Sequence, residues 1–267
     1  MSSDHSITKE NLDTYLRELA REFRRLNGTK MPAEIILVGG AAILTNYGFR
    51  DMTYDIDAVI LASSAMHEAI NRVGDKYGLP NGWINTDFTR TVSYSSKLRE
   101  ISSYYKTFSN IVQIRTISAE YLIAMKLMSG RRYKNDLSDI VGILWEHQQR
   151  GTSIERGAID RAVVELYGES ALITTSSATL LDEAFSIDNY ETLFQNTRES
   201  EQHARQILLD YEHDQGERLT ENDIEDILHR ARSKLGVMKD SSVCDTPQEE
   251  HSINNGTRKS RRKNKDK

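Results

Sequence analysis

Glu34-Ile35-Ile36-Leu37-Val38-Gly39-Gly40-Ala41-Ala42-Ile43-Leu44, followed after a short linker by Thr53-Tyr54-Asp55-Ile56-Asp57-Ala58-Val59-Ile60-Leu61, decides the fold of this chain. The first run reads as a short buried strand over residues 34–38. The glycine pair then gives a turn without β-carbons, and a helix begins at Ala41 that Gly48 can close. The second run reads as another interior strand. Residues i and i+2 of a strand share a face, so Asp55 and Asp57 stand roughly 6–7 Å apart with Ile56 turned into the core. Two like charges at the mouth of a buried strand repel each other and lose hydration, so they call for a cation. Their hard oxygen ligands suit Mg²⁺ (or Mn²⁺), completed by substrate phosphates. The Gly39-Gly40 turn lets such phosphates approach main-chain N–H groups at a helix N-terminus.

A second segment carries charge in a different pattern. Ser118 reads as the N-cap of a helix with Glu120 in its first turn, and Tyr121, Leu122, Met125, Leu127 and Met128 surround Lys126. Gly130 ends it. Arg131-Arg132-Tyr133-Lys134 follows, and Asn135 caps a further helix in which Asp136 and Asp139 share a face.

Strand, glycine pair, helix, then Asp-x-Asp resembles the DNA polymerase β-like nucleotidyltransferase superfamily. The lysine helix, basic turn and Asp-x-x-Asp are similar to the AbiEii/MenT-type branch, bacterial proteins that include toxins of toxin–antitoxin pairs. The resemblance covers about residues 34–145. It implies a nucleoside triphosphate bound at Gly39, Gly40 and the Thr53 motif, metal at Asp55 and Asp57, and Lys126 on the triphosphate. Arg131 or Lys134 would neutralise the pyrophosphate. One of Asp136 and Asp139 would orient the lysine or help the acceptor. The implied acceptor is RNA, particularly a tRNA 3′ end, or a protein hydroxyl, and the implied partner is a cognate antitoxin.

Many superfamily members hold a third metal carboxylate on a later strand. Here the predicted hairpin, strands 103–108 and 111–116 around Ser109-Asn110, contains no Asp or Glu; Gln113 is the nearest polar residue. Asp87 is expected to stay out of the site. The missing carboxylate fits the AbiEii-like branch and equally fits a catalytically inactive binding or regulatory relative. A transferase acting on aminoglycosides or other small molecules would share the same metal site.

The 267 residues, 38% hydrophobic, are enough for one large or two modest domains. The expected class is α+β: a small mixed sheet with flanking helices over residues 1–117, a helical region over 118–236 that completes the site, and a disordered basic tail over 237–267. Helices are predicted near 8–26, 64–77, 154–167, 178–185, 190–211 and 221–235, the last capped by Thr220. Trp83 and Ile84 are predicted to lie in an irregular segment covering the site. Residues 256–267 hold seven basic side chains against Asp266, leaving 28 basic and 39 acidic groups in residues 1–255. That acidic body argues against a broad nucleic-acid-binding face, whereas Arg99, Lys106, Arg115, Arg131, Arg132 and Lys134 are candidates for a local basic strip. The tail could neutralise RNA phosphates or serve solubility alone. The single Cys244 excludes a disulfide framework and a thiolate zinc site, fitting a reducing cytoplasm. No apolar run approaches a membrane span. His67, His147 and His229 read as helix-surface residues.

Overall fold

A two-residue strand, β1 (Ile7–Thr8), leads into α1 (Lys9–Asn27), whose stripe of Leu12, Leu16, Leu19 and Phe23 is buried. The structure, a computed structural model, describes residues 6–231 apart from 170, 188, 216–218, 220–222 and 225. Two compact units divide the chain, residues 1–209 and 210–267.

The first unit is α+β. After α1 come β2 (Ala33–Leu37), α2 (Gly39–Asn46), β3 (Met52–Thr53), β4 (Ile56–Leu61), α3 (Ala65–Tyr77), β5 (Ile84–Asn85), a 3-10 turn at Asp87–Arg90, α4 (Leu98–Ile101), β6 (Ser103–Phe108) and β7 (Val112–Thr116). Five strands form a mixed sheet in the order β5-β4-β2-β7-β6. β2 sits centrally, antiparallel to β4 and parallel to β7, while β1 pairs separately with β3. Ile35, Ile36 and Leu37 are fully buried, as a central strand covered on both faces requires. Ser109 and Asn110 both take positive φ in the β6–β7 turn, a conformation that Asn tolerates better than most residues.

Among the described residues that follow β7, the regular elements are helices: α5 (Ala119–Ser129), α6 (Asp136–Gln149), α7 (Arg156–Tyr167), α8 (Thr175–Ser186) and α9 (Tyr190–Gln215). Gly130 ends α5 in the left-handed conformation, with Ser177 and Thr174 packed where a β-carbon would be. None of the described helices is long and apolar enough to cross a membrane. In the second unit, residues 223, 224 and 226–231 are helical. Thr220, Cys244 and the basic tail from residue 237 lie outside the described residues.

Three local expectations are corrected. The segment is not irregular: Trp83 is buried against α3, its Nε1–H donating to Ile70 O at 3.0 Å, while bordering a groove described below, and Ile84-Asn85 extends the sheet as β5. Its large ring finds more apolar contact behind the sheet than a surface loop offers. Leu61, read as interior, is 37% exposed because it closes the far end of the β2–β4 ladder opposite Glu34. His147 is half-buried, its Nε2 3.3 Å from the Tyr47 hydroxyl.

Candidate functional site

The glycine pair is the first turn of α2 rather than a turn before it, with Val38 as N-cap. Gly39 has φ +54, and a β-carbon there would lie 3.3 Å from Asp57 Oδ2. At Gly40 a β-carbon would collide with Thr53 Oγ1 at 2.7 Å and Arg50 Nη2 at 2.9 Å. Gly39 is thus strained for any other residue by its positive φ and Gly40 crowded by Thr53 and Arg50, because β3, β4 and the linker pack directly on the helix start. The first N–H groups of α2 have no intrahelical acceptor and point their partial positive charge outward.

Asp57 is the second residue of β4, after Ile56, and Asp55 lies in the bend just before the strand, so only one of the two is on it. The bend follows from β3, which pairs with β1 and must break before β4 can join the main sheet. Burial and the Asp55 carboxylate raise the Asp57 pKa, with Arg131, Lys126 and Lys134 pulling weakly the other way. Asn85, in register with Asp57 on the neighbouring strand, directs its Nδ2 to Asp55 Oδ2 at 3.5 Å. Asp87, expected to stay outside, lines the same cavity, carried there by the 3-10 turn after β5. Among the described residues no three His, Cys, Asp or Glu side chains gather closely enough to hold a metal between them.

The opposite wall is helical. Lys126 is 8% exposed, and its ammonium meets Asp136 Oδ1 at 2.7 Å and Asp139 Oδ2 at 2.8 Å. Asp136 also accepts from Arg131 Nε at 2.8 Å, and Asp139 from Arg50 Nη1 at 2.7 Å. Burial alone would depress the lysine, but the two carboxylates outweigh it and raise its pKa. Burial likewise opposes ionisation of Asp136, yet Lys126 and Arg131 hold its acid well below the usual carboxylate range. Lys134, on the exposed turn before α6, has its pKa lowered by surrounding protein and by Arg131. Among the described residues its ammonium makes no ion pair.

Between these walls lies a cavity of about 300 Å³ bounded by Gly39, Gly40, Asp55, Asp57, Lys126 and Lys134. Thr53, Arg131 and Asp136 line it too, so nine of the ten predicted site residues reach it; Asp139 stands behind Lys126. A larger groove of about 1080 Å³ adjoins it, sharing Asp55, Asn85, Asp87 and Lys134, and continues past Tyr54, Arg198 and Arg205.

Sequence reasoning missed Arg50, which spans from the Gly40 contact to Asp139 and makes the linker part of the site. The same linker sends Phe49 against Gly142 of α6 and edge-on to Phe194 of α9. The linker's aromatic pair, Tyr47 and Phe49, was the available signal. Three members of the predicted basic strip are engaged within the fold: Arg99 pairs with Glu34, Lys106 with Asp13, and Arg115 is bound to Ser102.

Residues 14–145 match the model of a family described as a nucleotidyltransferase of unknown function (DUF6036). The match likens this stretch, which holds the glycine pair, both aspartates and the start of α6, to a nucleotidyltransferase-type domain. Neither a curated protein nor a solved structure matches the chain.

Proposed function

We propose that the cavity binds a nucleoside triphosphate and transfers its nucleoside monophosphate to an acceptor hydroxyl. The observation that carries this reading is the apposition of Asp57 to the Gly39 main chain at the start of α2, with Asp55, Lys134 and Arg131 on the same cavity. The acceptor hydroxyl gives its proton to solvent as its oxygen bonds to the α-phosphorus and the α–β bridging bond breaks, and pyrophosphate leaves. N–H groups at Gly39 and Gly40 receive the β- and γ-phosphates. Lys134 and Arg131 balance the charge that develops on the leaving pyrophosphate. Lys126, saturated by two carboxylates, fixes Arg131 through Asp136 and Arg50 through Asp139, with less of its charge left for the phosphates than the resemblance implies.

Asp55 and Asp57 are a fitting donor pair for Mg²⁺ or Mn²⁺: hard, adjacent, mutually repulsive and short of a full protein cage, leaving coordination positions for water and phosphate. When bound, such an ion neutralises phosphate charge and orients the attacking and leaving oxygens. The adjoining groove, with the 64%-exposed Tyr54 and the cation Arg198, is the proposed acceptor side, for RNA or a protein hydroxyl. A toxin-type role with a cognate antitoxin rests on the resemblance alone.

A second reading, a nucleotide-binding protein without transfer, is favoured by the absence of a third carboxylate within metal-binding reach among the described residues. Incubating the full chain with each labelled NTP, Mg²⁺, total RNA and a cell protein extract separates the two. Label in RNA or protein supports transfer; NTP binding without label in either supports the second reading.

A further inference from the structure

The first turn of α6 carries Asp136 and Asp139 and so anchors the helical wall, yet its own N-cap residue Asn135 provides no side-chain cap. The cap arrives from α9. Glu201, 2% exposed, accepts the Leu137 N–H at 2.8 Å and the Ser138 N–H at 3.3 Å on Oε1, and its Oε2 meets Ser138 Oγ at 2.5 Å. One helical turn further along α9, Arg205 donates from Nε to Tyr133 O at 3.2 Å and from Nη2 to Asn135 Oδ1 at 3.0 Å. Residues four apart on a helix lie one above the other, so the two side chains grip the same segment at two points. That segment, residues 133–138, contains Lys134 and Asp136, which both face the nucleotide cavity.

We propose that Glu201 and Arg205 are positioning residues of the nucleotide site, setting through one helix face where Lys134 and the Asp136–Arg131 pair stand relative to the bound triphosphate. The inference rests on the nucleotide-binding reading above. Neither residue lines the nucleotide cavity itself. Besides the Ser138 and Asn135 side chains, both hold main chain: Oε1 takes two N–H groups that the helix leaves without partners, and the guanidinium takes the carbonyl one residue before Lys134. Burial pushes the Glu201 acid up to about 8, opposed by the Ser138 hydroxyl and the two N–H groups, with Asp139 adding to the rise. Gln at 201 keeps the Oε1 acceptor and a polar neighbour for Ser138, whereas Ala leaves two buried N–H groups unmet.

The test is isothermal titration of ATP, GTP, CTP and UTP in turn, with Mg²⁺, into the full chain as wild type, E201A, E201Q and R205A, each also melted to establish that it is folded. For the nucleotide that wild type binds, E201A and R205A are expected to raise Kd about tenfold, the fold-change equivalent to one unmet buried hydrogen bond. E201Q is expected to stay within about twofold of wild type, since its acceptor is retained. Folded E201A or R205A with wild-type Kd overturns the inference, even if either melts lower, because a purely structural strut would change melting alone. Should E201A not fold, R205A decides by the same criterion. No binding by wild type to any of the four nucleotides overturns the functional reading itself, and binding by wild type with unchanged variants overturns only the positioning role.

Discussion

The two walls of the cavity hold charge in opposite ways. On the sheet side, Asp55 and Asp57 line one cavity beside a helix N-terminus, and burial, with the Asp55 charge, raises the Asp57 acid. On the helix side, Lys126, Asp136, Asp139, Arg131 and Arg50 are interlocked by four ion pairs of 2.7–2.8 Å. One wall is electrostatically unfinished and gains from a cation and its phosphates. The other is already satisfied and serves as a rigid frame. A count of charged residues cannot tell these apart; their partners can.

The largest expected effect breaks the sheet wall. Asp55→Asn or Asp57→Asn should lower transfer at least about a thousandfold, because several kcal/mol of metal-mediated charge stabilisation is removed. The fold should survive, and the Asp57→Asn protein should melt higher than wild type in metal-free buffer at neutral pH. The sign follows from a raised folded pKa. Between the unfolded and folded values the native state holds the extra proton, so wild-type stability falls as pH rises through that window. Melts across pH with EDTA check this, and the slope should be shallower in the variant, with Glu201, whose acid is also raised, supplying part of what remains.

Breaking the helical wall should do the reverse. Lys126→Met leaves two buried aspartates without their shared cation and should cost about 3–5 kcal/mol in chemical denaturation. Wild-type stability from this cluster should persist in acid. The lowered folded pKa of Asp136 means its contribution is present above the ordinary aspartate value and lost only as pH falls through the depressed one. Lys126, raised, contributes below the ordinary lysine value and loses that contribution only as pH rises through its higher folded value.

A smaller effect sharpens the seam between the walls. Gly39→Ala forces a β-carbon into a left-handed backbone 3.3 Å from Asp57 Oδ2 and should cost about 1–2 kcal/mol of stability. The smallest belongs to the rim: Lys134→Ala should leave melting unchanged and lower kcat/KM for the nucleotide about two- to fivefold, the scale of an exposed charge contact.

Much of this was legible because the decisive signals are local. Gly39-Gly40 and Asp55-Ile56-Asp57 announce themselves by spacing, as do the α5 stop at Gly130 and the shared face of Asp136 and Asp139. What stayed hidden depends on elements distant in sequence. Arg50 sits in a linker without periodicity, and only the fold brings it to Asp139, 89 positions on. Glu201 is one acid among several in a polar helix, and nothing local marks it as the cap of α6. Nothing local places Asp87 in the site; once Ile84-Asn85 is a strand beside β4, the next turn is carried to the cavity. Lys126 was recognised, but its double ion pairing was not, since a sequence gives a lysine's neighbours along the helix and not those facing it.

The most direct test of the central claim is the Mg²⁺ dependence of nucleotide affinity, measured by titrating the nucleotide that wild type binds into wild type and the Asp55→Asn, Asp57→Asn double variant, with Mg²⁺ and with EDTA. Cooperative uptake predicts that Mg²⁺ tightens binding in wild type and has no effect in the variant. Equal affinity in wild type with and without Mg²⁺, or the same Mg²⁺ enhancement in the variant, would contradict it.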